Sequence, residues 1–298
     1  MNSGSANDGG RAVPGSLVAP AGRTPVFAVL GWPVGHSRSP AMQNAALAAA
    51  GLEGVYVAFP VAPADLEVAV RGAFALGVRG LNVTVPHKEA VVPLCTALDP
   101  LAAQVGAVNT LARVEAGWAG HNTDAPAVQA LLAEGGIGAG ARGLVLGAGG
   151  AARAAAWALL RLGADVAVAA RRPEAAEALC RDVAAALGRP ATAARPVAWA
   201  ETAGAAIHAD AVVNATSVGL TGNAGRLPPL AWRTGQVALD FVYGETEFAR
   251  AARGAGARLV TGEDVLVRQG ELAFRIWHDR PPPAGVMARA LAGAGGRA

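Results

Sequence analysis

Leu144-Val145-Leu146-Gly147-Ala148-Gly149-Gly150-Ala151-Ala152-Arg153-Ala154 decides how this chain of 298 residues is built. An apolar run that reads as a buried strand empties into three glycines and continues as an alanine- and leucine-rich helix. A turn of that kind lets backbone approach a pyrophosphate closely and holds it at a helix N-terminus. The third small position of the usual GxGxxG pattern is filled by Ala152. Glycines alone carry little weight in a chain with 39 of them. The order strand, turn, helix and second strand, the last ending about 20 residues on, is what carries the reading.

That second strand, Val166 to Ala170, decides which dinucleotide fits. An acid at its end would accept the ribose 2′-hydroxyl of NAD and repel a 2′-phosphate. None stands there: the strand runs into Arg171 and Arg172, whose guanidinium groups suit a phosphate monoester, so the turn predicts NADP. Gly147, Ala148, Gly149, Gly150 and Ala151 are the candidate cradle, and Arg153 in the first helical turn is a further candidate for the phosphates. Two solvated arginines are the competing explanation, weakened by the glycine-rich turn at the right distance.

Outward from this unit, DAVVNATSVG (210–219), QVALDFVYG (236–244) and ARLVTGEDVLVRQG (257–270) read as three more strands, each ending in a polar or glycine-bearing loop. The closing helices, from about Asp264, are too long and apolar to hang free and are expected to pack back on the molecule. Upstream, PVFAVLGWP (25–33), YVAFPV (56–61) and GLNVTVPHK (80–88) read as strands alternating with helices at 39–52 and 65–77. That rhythm predicts a mainly parallel sheet. Ser39 is the expected N-cap of the first helix, with Pro40 at its first position and Gly51 ending it. The whole chain is thus α/β. Residues 1–23, rich in Gly, Ser and Ala, read as a disordered tail.

Composition excludes several classes. The 25 basic and 22 acidic residues leave only +3, and Arg is scattered, so there is no nucleic-acid footprint. No apolar stretch is long enough for a membrane span, no leader-like segment opens the chain, and a cytoplasmic location is expected. Cys95 and Cys180 lack any paired spacing and are expected to fill space, and the five histidines show no ligand spacing, so no metal is expected.

Of the 25 basic residues, one alone is Lys, namely Lys88. Generic positive charge here is Arg, which cannot lose its proton, whereas a partly desolvated lysine can exchange one. Lys88 is therefore the candidate proton-transfer residue. It ends one of four polar clusters at strand ends: His36-Ser37-Arg38-Ser39, Asn82 to Lys88, Val108-Asn109-Thr110, and His121-Asn122-Thr123-Asp124. Ligands of open α/β sheets bind at such ends. In Asn82-Val83-Thr84, alternation puts two polar side chains on one face of an otherwise apolar strand.

GWPVGHSRSP, RGLNVTVPHKE, GAVNTL, GHNTDA, LGAGGAARA, NATSVG, DFVYG and VRQGELAFRIW, in that order, resemble the shikimate dehydrogenase family over nearly everything from Pro25 to Trp277. The resemblance implies a two-domain enzyme: a discontinuous α/β substrate domain (24–123 and 264–298) joined to a Rossmann-type NADP-binding domain (124–263). It implies reversible oxidation of shikimate to 3-dehydroshikimate, a step of aromatic amino acid (chorismate) biosynthesis, with NADP(H) as cofactor.

Carried onto this sequence, the resemblance gives Ser37 and Ser39 the substrate carboxylate, assisted by Tyr243 and Gln269. Asn82, Thr84, Asn109 and Asp124 receive the ring hydroxyls. Lys88 and Asp124 flank the reacting hydroxyl, Gly262 lies beside the nicotinamide, and Thr216 near the cofactor's ribose or phosphates. Three departures stand out. Ala125-Pro126 follows Asn-Thr-Asp where the family usually has Gly, a change expected to stiffen or shift the helix behind Asp124. Gln43 stands where His is common, and Val265 where Met is. Rivals are a quinate or aminoshikimate dehydrogenase on the same scaffold, or a non-catalytic NADPH-binding sensor, which would have no need of Lys88 and Asp124 together. The implied partner is a small molecule; oligomeric state is not legible, and a homodimer is one option.

Overall fold

The computed structural model describes residues 21–220 and 225–294. The expected disordered tail lies outside the described residues except for 21–23, which enter a turn closed by Thr24 N donating to Ala21 O at 3.0 Å.

Short runs of β-branched and apolar residues build a first sheet. Its elements are β1 (Val26–Gly31), α1 (Ser39–Ala49), β2 (Val55–Pro60), α2 (Leu66–Ala75), β3 (Gly80–Val83), β4 (Ala97–Leu98), α3 (Pro100–Val105), β5 (Thr110–Val114) and β6 (Gly117–His121). The strand order is β2-β1-β3-β5-β6-β4. β2, β1 and β3 are parallel as the βα rhythm predicts, but β5 runs antiparallel to both β3 and β6. Only Glu115 and Ala116 separate β5 from β6, which permits a hairpin and forbids a parallel crossover.

The second sheet follows from α4 (Asp124–Glu134) through β7 (Arg142–Leu146), α5 (Gly150–Arg161), β8 (Asp165–Ala169), α6 (Pro173–Ala186), β9 (Ala194–Val197), α7 (Thr202–His208), β10 (Ala211–Asn214), β11 (Val237–Asp240), α8 (Glu247–Gly254) and β12 (Arg258–Val260). All six strands are parallel, in the order β12-β11-β10-β7-β8-β9. Read from β9, this is the doubly wound 3-2-1-4-5-6 order, whose switch point, between β7 and β10, is where a dinucleotide crevice forms. β9 and α7 are additions to the sequence reading. Ala194-Arg195-Pro196-Val197 carries no alternation, and its proline is tolerated because β9 is an edge strand.

The closing helices, α9 (Gly262–His278) and α10 (Val286–Ala294), do pack back. α9 starts two residues earlier than expected, because Thr261 and Asp264 form a capping box. Met42, Ala46, Leu47, Leu266, Phe274, Met287 and Leu291 bury one another between α1, α9 and α10. Trp277 on α9 donates to Leu111 O at 3.1 Å, and its indole fills the place where a side chain on Gly80 would stand, 2.3 Å from a Cβ there. The last helices thereby join the first sheet. Both cysteines are free thiols, Cys180 buried and Cys95 half-buried.

One cap differs from expectation. Arg38 is the N-cap of α1 and Ser39 its first residue. The Ser39 amide donates to Ser37 Oγ at 3.3 Å, so the serine expected to cap is itself capped.

Candidate functional site

The carboxyl ends of both sheets face one cleft of about 360 Å³. On its walls lie Lys88 and Asp124 and all seven expected substrate residues, Ser37, Ser39, Asn82, Thr84, Asn109, Tyr243 and Gln269. Gly149, Gly150, Ala151, Arg172, Thr216 and Gly262 face the same space, whereas Gly147, Ala148, Arg153 and Arg171 do not line it.

Lys88 leaves β3 through a turn held from both sides. His87 N donates to Thr84 O at 2.9 Å, the buried His87 ring pairs through Nε2 with Val61 O at 2.7 Å, and Val108 N donates to Lys88 O at 2.8 Å. Its ammonium donates to Asp124 Oδ2 at 2.7 Å, with the lysine side chain 15% and the aspartate 5% exposed. Asp124 opens α4. The Ala125-Pro126 departure does not dislodge it: Asn122 Oδ1 takes the Ala125 amide at 2.9 Å, and Pro126 falls in the first turn, where no N–H needs an intrahelical acceptor.

Around this pair the polar side chains form a closed network. Asn82 Nδ2 donates to Asn109 O at 3.1 Å and to Thr110 Oγ1 at 3.0 Å, while its Oδ1 accepts from the Tyr56 phenol at 2.7 Å. Asn109 Nδ2 donates to Thr123 Oγ1 at 2.9 Å, its Oδ1 accepts from Thr123 N at 2.7 Å, and Thr123 reaches Gln269 Oε1 at 3.3 Å. Burial holds these groups to their partners, since an unpaired one would lose about 1–3 kcal/mol. Gln43 serves the frame, donating to Gly270 O at 3.1 Å. Tyr243 is pushed up to about 12 by burial, then by Asp124 and Glu263, against a smaller opposing effect of Arg38. Arg38 pairs with Glu263 at 2.8 Å and donates to Leu291 O at 2.6 Å, tying the start of α1 to α9 and α10.

Tyr56 escapes the sequence reading, whereas Thr110 and Thr123 stand in the polar clusters singled out there but without a role of their own. A phenol inside a strand read as buried is the available signal, because such a hydroxyl needs a partner. Glu89, Ser217, Phe241 and Val242, which fall inside the quoted motifs without an assigned role, also line the cleft, as do Leu220 and Leu266.

The glycine-rich turn fits a dinucleotide diphosphate. Its helix, α5, has no acid in its first turn and no side chain capping Gly149, which leaves its first N–H groups for an anion. Gly147 has φ +113°, and a Cβ there would stand 2.8 Å from Ala215 O, so it lets β7 turn against the end of β10. Arg171 and Arg172 are exposed just past β8, with no side-chain hydrogen bond or ion pair to another described residue. Arg153 is differently employed: it bridges Glu89 at 3.2 Å and Asp182 at 3.1 Å.

A doubly wound sheet with a phosphate-ready turn, opening on a cleft that holds a lysine–carboxylate pair among hydroxyl-binding side chains, defines a dinucleotide-dependent oxidoreductase of two α/β domains. Similarity to known proteins makes this specific. Residues 29–111 match the shikimate dehydrogenase substrate binding domain, and 262–292 the shikimate 5′-dehydrogenase C-terminal domain. The NADP(+) shikimate dehydrogenase of Anaeromyxobacter dehalogenans strain 2CP-1 is 60% identical over 270 residues, 91% of this chain and 96% of its own. That of Moorella thermoacetica is 46% identical over 90% and 92%. A Thermus thermophilus shikimate 5-dehydrogenase solved with shikimate is 39% identical, with a TM-score of 0.76 over 91% of this chain and 99% of that one. A Corynebacterium glutamicum quinate dehydrogenase solved with NAD is 31% identical, with a TM-score of 0.80 over the same shares. The chain belongs to the shikimate dehydrogenase family.

Proposed function

We propose that this chain catalyses the reversible NADP-dependent interconversion of shikimate and 3-dehydroshikimate, with Lys88 and Asp124 handling the proton. The observation that carries the assignment is the Lys88–Asp124 contact at 2.7 Å inside the cleft that the glycine-rich turn also faces.

Oxidation of a secondary alcohol removes a hydride from carbon and a proton from oxygen. Bound NADP⁺ supplies the hydride acceptor. The chain supplies the proton acceptor and a charge to stabilise the carbonyl oxygen as it forms. Lys88 Nζ, bound to Asp124 Oδ2, is placed to exchange that proton, and Asp124 accepts from a neighbouring ring hydroxyl through its second oxygen. In reduction the same group returns the proton. Ser37 and Ser39 take the substrate carboxylate with Tyr243 and Gln269, while Thr84, Asn82 and Asn109 take hydroxyls. On the cofactor side, the N–H groups of Gly149, Gly150 and Ala151 would hold the diphosphate and Arg171 and Arg172 the 2′-phosphate, Thr216 would stand near the ribose or phosphates, and Gly262 would lie beside the nicotinamide.

Residues 24–123 with 264–298 form the substrate-binding unit in this reading and 124–263 the nucleotide unit. Among the described residues no helix is long and apolar enough to cross a membrane. The reading includes a cytoplasmic location, which fractionation of the cell tests, and light scattering decides whether the enzyme is a homodimer.

Steady-state assays of shikimate, quinate and aminoshikimate with NADP⁺ and NAD⁺ test the assignment. Shikimate with NADP⁺ is expected to give the highest kcat/KM. Higher kcat/KM for quinate with NAD⁺ would overturn it, and activity on none of the three would favour a nucleotide sensor.

A further inference from the structure

Tyr56 is 2% exposed and does not line the cleft, yet its hydroxyl reaches Asn82, which does. Its backbone is fixed to α1 by one side chain: Asn44 Nδ2 donates to Tyr56 O and Tyr56 N donates to Asn44 Oδ1, both at 2.8 Å. Its ring packs 6.1 Å from that of Trp277, centroid to centroid. The phenol therefore has little freedom of place.

Its proton has little freedom either. Asn109 O can only accept, so the Asn82 amide must turn Nδ2 towards it, which leaves Oδ1 facing Tyr56. The phenol donates to that oxygen, and burial above all keeps it protonated well above the ordinary range. Asn82 has both N–H groups spent on Asn109 and Thr110, so what it offers the cleft is the second lone pair of Oδ1.

We propose that Tyr56 is a positioning residue that fixes the orientation of the Asn82 side chain, so that its Oδ1 is presented to a substrate ring hydroxyl in the cleft. This rests on the substrate assignment above. A ligand without a hydroxyl at that place gains nothing from the fixed orientation of Asn82. Tyr56 touches neither substrate nor cofactor and acts through Asn82.

Tyr56→Phe keeps the ring and removes the hydroxyl. Loss of a hydrogen bond to a buried acceptor predicts a rise in shikimate KM of about tenfold. The NADP KM should stay within about twofold of wild type, and kcat should fall less than KM rises. In an Asn82→Ala background the same substitution should change shikimate KM by less than about twofold, because its route is already gone. A native melting profile with unaltered shikimate KM, or full independent effects of the two substitutions, overturns the proposal. Should Tyr56→Phe not fold, the wild-type protein still tests it. The chain has two tyrosines, so ¹³Cζ-tyrosine labelling gives two signals, of which Tyr243→Phe identifies one. The Tyr56 signal should move on adding shikimate and stay put on adding NADP⁺ alone; no movement at saturating shikimate overturns the proposal. Wild-type enzyme inactive on shikimate would instead overturn the substrate assignment.

Discussion

The side chain of Lys88 runs across the face of Gly150: a Cβ on that glycine would stand 2.7 Å from Lys88 Cβ and 3.2 Å from its Cδ. The turn that fits the dinucleotide is thus in direct contact with the residue assigned to proton transfer. Lys88 can reach Asp124 only because α5 begins with a residue lacking a side chain.

Gly150→Ala is therefore expected to displace the lysine stem. Ala107 Cβ, 3.3 Å from the same point, blocks the other way out. Overpacking of this kind costs about 1–3 kcal/mol. Part of it should appear as lost turnover, about tenfold or more in kcat, and part as a lower melting temperature. A variant with wild-type kcat and stability would show that the lysine stem moves freely.

Lys88→Met separates the stem from the charge. Met preserves much of the packing on Gly150 but cannot exchange a proton, so kcat should fall by about 10²–10⁴, with shikimate KM within about tenfold. Both variants leave Asp124 a buried carboxylate without its cation; Lys88→Ala should lose as much activity and more stability, since it also removes the stem packed on Gly150. Turnover of Lys88→Met near wild type, read in a steady-state assay, would remove Lys88 from the chemistry.

The arginines divide by their surroundings. Arg171 and Arg172, free of protein partners among the described residues, should each raise the NADP KM several-fold when changed to Ala, and together by more, with any NAD KM nearly untouched. Arg153→Gln should raise the NADP KM less than Arg171→Ala does, because its guanidinium is already held by Glu89 and Asp182. Equal effects of Arg153 and Arg171 on the two cofactors would mean the ribose phosphate lies nearer α5 than β8.

Much of this is legible in the sequence because it depends on short-range rules. Gly147 to Ala152 announce a strand-to-helix turn wherever they occur after an apolar run, and Lys88 stands out by its rarity. The β5–β6 hairpin is not legible as antiparallel from its short strands; the decisive fact is the two-residue length of the connection at Glu115-Ala116. β9 escapes because Pro196 interrupts any strand pattern, which only an edge position excuses. Ser39 looks like a cap because composition cannot tell which of two neighbouring serines turns its oxygen inward. Tyr56, and the roles of Thr110 and Thr123, are hidden for another reason. Their value lies in contacts such as Tyr56 with Asn82, which join residues 26 apart in sequence and exist only once β2 and β3 flank β1.

Both tyrosines bear on the pH limits of the fold. Tyr243 is raised from 10.0 to about 12, chiefly by burial, with Asp124 and Glu263 adding to it, and Tyr56 is also raised well above its ordinary value by burial. An acid whose folded-state value lies above its unfolded one is held in its protonated form by folding. The stability it contributes is complete below the unfolded value and lost as pH rises towards the folded one. Tyrosine-linked stability should accordingly be intact at neutral pH and fall away above about pH 10, most of Tyr243's share being gone by about 12. Tyrosinate absorbance should rise together with loss of helical circular dichroism, not before it. Tyr243→Phe should make the alkaline fall in stability shallower. Native protein that ionises either tyrosine near pH 10 with its helices intact would show that these phenols are not held as the structure places them.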